Sequence, residues 1–173
     1  MHVYLLRHGD AGDRAEWAGD DRERPLTETG REEIQAVAKG IRWLRLNLDT
    51  LVTSPLTRAR ETADYIAQAL RPASYETSDL LAPGCDMRAL GKLLSGHPET
   101  QALMIVGHEP DLGDIIAELI GAGTPVRMQM KKAACCCVKL ATDGGATSRS
   151  KLAGKGQLVW HLPPQILVRL GKR

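Results

Sequence analysis

The chain has 173 residues, 43% of them hydrophobic and 25% charged, with a formal net charge of +2 at pH 7. That length suffices to bury a real core within one domain, residues 1–173, and the composition is that of an ordinary globular protein. The small net charge excludes a strong field toward nucleic acid or membrane, and three Trp, three Tyr and no Phe leave little for a base-stacking surface.

Residues 2–6 form a short apolar run without alternation and read as a buried strand. Residues 10–24, rich in Asp, Arg, Glu and Gly, read as a loop. Thr27 is placed to cap a helix, on which Ile34, Val37, Ala38, Ile41, Leu44 and Leu48 make one apolar stripe. Thr50–Ser54 is a second strand, stopped by Pro55. A helix over 56–70 follows, with Ala59, Ala63, Ile66 and Leu70 on one face and Pro72 beyond its end. Ser74–Ser78 is a short strand. Asp86 caps a helix carrying Met87, Leu90, Leu93 and Leu94, and Gly96-His97-Pro98 is turn chemistry.

Leu103–Val106 is unbroken in its apolar character, as in a strand buried on both faces. Pro110 suits the first position of the next helix, whose stripe is Leu112, Ile115, Ile116, Leu119 and Ile120. Asp111 and Asp114 fall in its first turns, where the helix dipole favours negative charge, and Gly121-Ala122-Gly123 ends it. Residues 133–141 and 157–162 read as strands joined by the loop 142–156, an antiparallel hairpin. The expected fold is therefore α/β: three layers, α/β/α, with a mostly parallel sheet and an antiparallel C-terminal edge.

Cys85 and the triplet Cys135, Cys136 and Cys137 match no zinc spacing, and neighbours on a strand cannot pair. They read as small buried hydrophobes. Arg7 interrupts the first apolar run, and no run approaches the 18 apolar residues of a membrane helix, so a reducing cytoplasm is the expected setting.

The chemistry gathers at strand ends, where open α/β sheets bind ligands. Arg7-His8-Gly9 closes the first strand and Gly107-His108 closes the strand at 103–106, while Arg58 stands just past the second. Each histidine alone is as well explained by a turn. Arg58 alone is as well explained by a helix surface. Together they make an imidazole among guanidinium groups, which grip phosphate oxygens bidentately and disfavour protonation of the ring. Glycine at position 9 lets a ligand approach the backbone closely.

Arg7-His8-Gly9, Ser54-Pro55-x-x-Arg58-Ala59-x-x-Thr62-Ala63 and the late Gly107-His108 resemble, in this order, the histidine phosphatase superfamily, the phosphoglycerate mutase-like fold. Arg24-Pro25-Leu26-Thr27-x-x-Gly30 and Pro110-Asp111-Leu112 are similar to the SixA-type phosphohistidine phosphatases. The resemblance implies that His8 is the nucleophile and that Arg7, Arg58 and His108 hold the phosphoryl oxygens, with Gly9 beside the substrate. It implies no metal and no cofactor, and the sequence shows no carboxylate cluster suited to Mg²⁺. His2, His97 and His161 match no motif position.

Larger members of the superfamily carry an acidic proton donor between the middle and late motifs, and often an Asn after the first. Here Asp86 is the one acid near the donor's place, with its helix-cap role equally explanatory, and the charged Asp13-Arg14 stands in the Asn region. An absent acid favours phosphohistidine on a protein as substrate, because protonated phosphoimidazole expels a neutral ring. A small-molecule phosphomonoesterase acting on a sugar phosphate or nucleotide is the alternative enzyme. A non-catalytic phosphate or phosphopeptide sensor is the alternative of another class.

Overall fold

A computed structural model describes residues 1–121, 126–141 and 152–172. Six strands form one sheet: β1 (His2–Arg7), β2 (Thr50–Thr53), β3 (Ser74–Thr77), β4 (Ala102–Gly107), β5 (Cys135–Leu140) and β6 (Gly156–Leu162). Their spatial order is β3-β2-β4-β1-β5-β6. The first four are mutually parallel, whereas β5 runs antiparallel to β1 and β6 antiparallel to β5. The expected parallel core with an antiparallel C-terminal edge is the architecture observed. The loop expected at 142–156 falls largely outside the described residues, and β6 begins at Gly156.

Helices α1 (Glu28–Trp43), α2 (Thr57–Leu70), α3 (Met87–Ser95), α4 (Asp111–Gly121) and α5 (Pro164–Gly171) cover the sheet. Two apolar clusters result, one on each face. The first joins Leu5, Leu103 and Ile105 to Leu90 of α3 and Ile116 of α4. The second joins Leu6, Met104 and Val106 to Ile34 of α1, Ile66 of α2 and Leu167 of α5. β2 and β4 are buried at every position, which is why they lack polar alternation.

Local signals set the helix starts. Thr27 Oγ1 accepts the Gly30 N–H at 3.0 Å, and Asp86 Oδ1 accepts those of Arg88 and Ala89 at 3.0 and 2.9 Å. Three departures from the sequence reading stand out. Leu48 is not part of the α1 stripe: the helix ends at Trp43, Arg45 turns the chain with φ 53°, and Leu48 is buried from the segment that leads into β2. The second is α5, in a stretch that the strand pattern leaves unassigned. It packs along α1 so closely that a side chain at Gly40 would collide with the Leu167 carbonyl. Pro110 lies one residue ahead of α4 rather than inside its first turn.

The triplet alternates across β5 as expected. Cys135 and Cys137 face the second cluster and Cys136 the first. Burial pushes the thiols of Cys136 and Cys137 up to about 12 and about 11, so all three are inert hydrophobes at neutral pH.

Candidate active site

Three neighbouring parallel strands end side by side, and each delivers a polar side chain. β1 ends at Arg7 and passes into His8. β4 ends at Gly107 and passes into His108. β2 passes into Ser54. The register pairs Arg7 with Gly107, and the ladder runs one step further through His8 N–H to Gly107 O at 3.1 Å and Ser54 N–H to Val106 O at 2.9 Å. Sheet pairing thus fixes the backbones of residues 8, 54 and 108 before any side-chain contact forms.

The two imidazoles lie with ring centroids 5.2 Å apart. His8 Nδ1 is 2.7 Å from the Gly9 carbonyl oxygen, which can only accept, so Nδ1 carries the proton. The lone pair of the neutral ring is therefore on Nε2. Arg58, from the first turn of α2, sets its Nε–H 3.3 Å from that Nε2. Burial pushes the His8 pKa down to about 3; the Gly9 carbonyl opposes this, and His108, Arg58 and Arg7 reinforce it. The ring is neutral across the ordinary pH range.

His108 is also held neutral, at about 4, by burial first and by Arg58 next, with Asp21 pulling the other way. Its Nε2 lies 2.7 Å from Ser54 Oγ. Its Nδ1 is buried and meets no partner among the described residues, and the same is true of Arg7 Nε. Arg7 is steered from behind, since its Nη1 donates to the Met130 carbonyl at 2.7 Å. Glu109 Oε1 accepts the Met130 N–H at 3.1 Å, so the residue after His108 anchors the segment that orients Arg7.

All four residues singled out from the sequence converge here: Arg7, His8, Arg58 and His108. Gly9 converges with them in a supporting position. Its N–H donates to Thr62 Oγ1 at 3.1 Å, its carbonyl accepts from His8, and a Cβ would sit 2.8 Å from Ile34 Cγ1. Thr62 in turn donates to the Arg58 carbonyl at 2.7 Å, which ties the β1 loop to α2.

Sequence reasoning passed over several contributors. Asp21, within the charged stretch 10–24, binds Arg58 through its carbonyl to Nη1 at 2.8 Å and its Oδ2 to Nη2 at 3.0 Å. Its Oδ1 accepts from Arg24 Nε at 2.9 Å and lies 3.3 Å from Arg14 Nε. Arg24 also donates to the carbonyls of Ala11 and Gly12 at 2.7 and 3.0 Å, so this loop is a pinned structure. Burial opposes it, but the guanidiniums of Arg24 and Arg58 hold the Asp21 carboxyl below its ordinary value. The sequence carries no signal for Asp21: only the fold shows that Arg24 is buried and therefore needs internal acceptors. Ser54 and Thr62 stand in the motif already noted, but only the fold shows what they touch.

The remaining histidines lie elsewhere. His2 stacks on Tyr4, and His97 joins the Leu93 carbonyl at 2.9 Å and Glu76 at 3.1 Å. His161 belongs to β6. Asp86 is exposed, with Oδ1 accepting the first N–H groups of α3. Among the described residues, no group of three or more His, Cys, Asp or Glu is placed to hold a metal ion.

Taken together, the site offers one neutral nucleophilic nitrogen flanked by two guanidiniums and a second neutral imidazole. Such a set can attack a tetrahedral oxyanion centre and receive the charge that its equatorial oxygens develop.

Comparison with known proteins agrees with this chemistry. Residues 3–82 match the model of the histidine phosphatase superfamily (branch 1). An uncharacterised protein of Picosynechococcus sp. is 36% identical over 138 residues, 77% of this chain and 81% of that protein. Phosphohistidine phosphatase SixA of Escherichia coli is 30% identical over 128 residues, 72% of this chain and 78% of that protein. The solved structure of the protein histidine phosphatase SixA complexed with tungstate superposes with a TM-score of 0.77 at 27% identity, covering 96% of this chain and 99% of that one.

Proposed function

The chain belongs to the histidine phosphatase superfamily and is a phosphatase of that class, and we propose that it dephosphorylates phosphohistidine on a protein through a phosphohistidine intermediate on His8. The observation that carries the catalytic role is the His8 tautomer: the Gly9 carbonyl accepts the hydrogen bond from Nδ1–H, which leaves Nε2 as the attacking lone pair.

In the first step Nε2 of His8 attacks phosphorus in line and the bond to the leaving nitrogen breaks. Arg7, Arg58 and His108 hold the three equatorial oxygens. In the second step water attacks the phosphorus on His8, a proton passes to solvent, and His8 leaves as the neutral ring. The guanidiniums meet the transition-state charge, so neither step calls for a metal. Gly9 enters as the support that orients His8.

Leaving-group chemistry and the likeness to SixA support the substrate class. Asp86, the acid nearest in sequence to a donor position, spends Oδ1 on the α3 cap. A substrate whose leaving group departs as neutral imidazole needs no strong acid from the enzyme. Four free thiols among the described residues suit a reducing cytoplasm. No helix among the described residues is long and apolar enough to cross a membrane.

The test is a phosphatase assay on a panel of phosphohistidine proteins, with chelator present, beside His8→Ala. Rapid mixing and an alkaline quench should trap phosphate on His8, stable in alkali and lost in acid. Label on Cys85 or a serine, or activity lost to chelator and restored by Mg²⁺, overturns the mechanism. Turnover of alkyl phosphates at the rate of phosphohistidine overturns the substrate class.

A further inference from the structure

We infer that Ser54 is a positioning residue for His108: its hydroxyl donates to Nε2, which fixes the ring proton on Nδ1 and turns His108 into a neutral N–H donor toward the transferring phosphoryl group. This rests on the phosphoryl-binding role proposed for His108 above.

The argument is one of proton placement. Ser54 is fully buried, so its hydroxyl proton needs an acceptor inside the protein. Oγ meets two polar atoms among the described residues. One is the Leu56 N–H at 3.4 Å, itself a donor, so Oγ accepts there. The other is His108 Nε2 at 2.7 Å. The hydroxyl proton therefore goes to Nε2. A neutral imidazole has one donor and one acceptor nitrogen, so an accepting Nε2 puts the proton on Nδ1. Nδ1 is the buried ring atom that no described residue meets.

The two histidines then carry their protons on the same ring atom yet do opposite work. His8 turns Nδ1–H to the Gly9 carbonyl and presents a lone pair. His108 turns its lone pair to Ser54 and presents Nδ1–H. The reversed tautomer of His108 would aim a lone pair at anionic oxygens. It would also leave the Ser54 proton without an acceptor. Both faults cost stabilisation of the transition state in a dry site. Ser54 stands just past β2 and His108 just past β4, so the pairing of these strands brings the two residues side by side.

The experiment reads the tautomer directly. ¹⁵N NMR of the imidazoles, with His108 assigned by its loss in His108→Gln, should show Nδ1 protonated and Nε2 unprotonated in the wild type. In Ser54→Ala the His108 signals should move toward a mixture of tautomers. There kcat should fall about 10- to 100-fold with KM changed less, while Ser54→Thr, which keeps the hydroxyl, should retain the wild-type tautomer and most of kcat. A wild-type His108 protonated on Nε2 overturns the inference whatever the activity, and it does so even if Ser54→Ala fails to fold. Ser54→Ala with an unchanged His108 spectrum and unchanged kcat overturns it as well. Loss of all phosphatase activity in a wild type that shows the Nδ1–H tautomer would strike the phosphatase reading, and with it the phosphoryl contact but not the Ser54 bond.

Discussion

Arg58 sets its Nε–H 3.3 Å from the lone pair of His8 Nε2, while both of its terminal nitrogens rest on Asp21, at 2.8 Å and 3.0 Å. Three of the five guanidinium N–H groups are thus engaged before substrate arrives. The plane of the group is fixed, and two N–H groups remain for phosphate oxygens. In the proposed mechanism a bound phosphoryl group would exchange the weak contact with His8 for a charge-assisted one and free Nε2 to attack.

This geometry predicts a graded mutational series. Arg58→Ala should cut kcat/KM by at least two orders of magnitude, about 2.7 kcal/mol. Asp21→Asn keeps the carbonyl contact to Arg58 and weakens the charged contacts of the carboxylate with Arg58, Arg24 and Arg14, so its loss should be smaller than that of Arg58→Ala, about 10-fold. Arg60→Ala, at an exposed residue whose side chain donates to Thr57 Oγ1 at 3.4 Å, should change little. Steady-state kinetics on an aryl phosphate orders the three. Equal losses at positions 58 and 60 would contradict the assigned helix register.

The two buried histidines predict a pH dependence of definite sign. Both folded-state pKa values, about 3 for His8 and about 4 for His108, lie below the unfolded value of 6.5. The unfolded chain therefore binds more protons between these limits, and stability falls as pH drops from 6.5 toward 3. The pair should account for on the order of a few kcal/mol. Urea melts at pH 7 and pH 5 measure this, and His8→Gln with His108→Gln should flatten the difference. The acid limb of kcat/KM should lie well below pH 6.5, once the ionisation of the substrate phosphate is allowed for. An acid limb centred at 6.5 would show that the rings titrate freely.

Leaving groups provide the next test. If the proposed mechanism runs without a strong general acid, aryl phosphates with acidic phenols should be hydrolysed measurably and simple alkyl phosphates hardly at all. Asp86→Asn should leave phosphohistidine turnover within about two-fold, since an Asn oxygen still caps α3. Its thermal stability should drop only slightly. Fast alkyl phosphate hydrolysis that Asp86→Asn abolishes would make Asp86 the proton donor and the small-molecule reading the correct one.

The sequence by itself determined what is local. Apolar runs without alternation marked β1 and β4, because a strand buried on both faces has no reason to alternate. Thr27 and Asp86 announced helix starts, because a cap satisfies N–H groups only two or three residues away. Arg7, His8, Arg58 and His108 could be singled out because each stands at or just past a strand end, and parallel strands gather their ends on one side of a sheet. What only the tertiary structure decided is contact between segments far apart in the chain. Ser54 reaches His108 across 54 residues and Asp21 reaches Arg58 across 37, and neither pairing leaves a periodicity to read. α5 was hidden for the same reason. Eight residues carry too short a stripe to identify a helix, and its place is set by the bare backbone that Gly40 of α1 offers it. The sequence thus placed Arg7, His8, Arg58 and His108 at strand ends, while only the sheet, which sets β2 beside β4, brings Ser54 against His108.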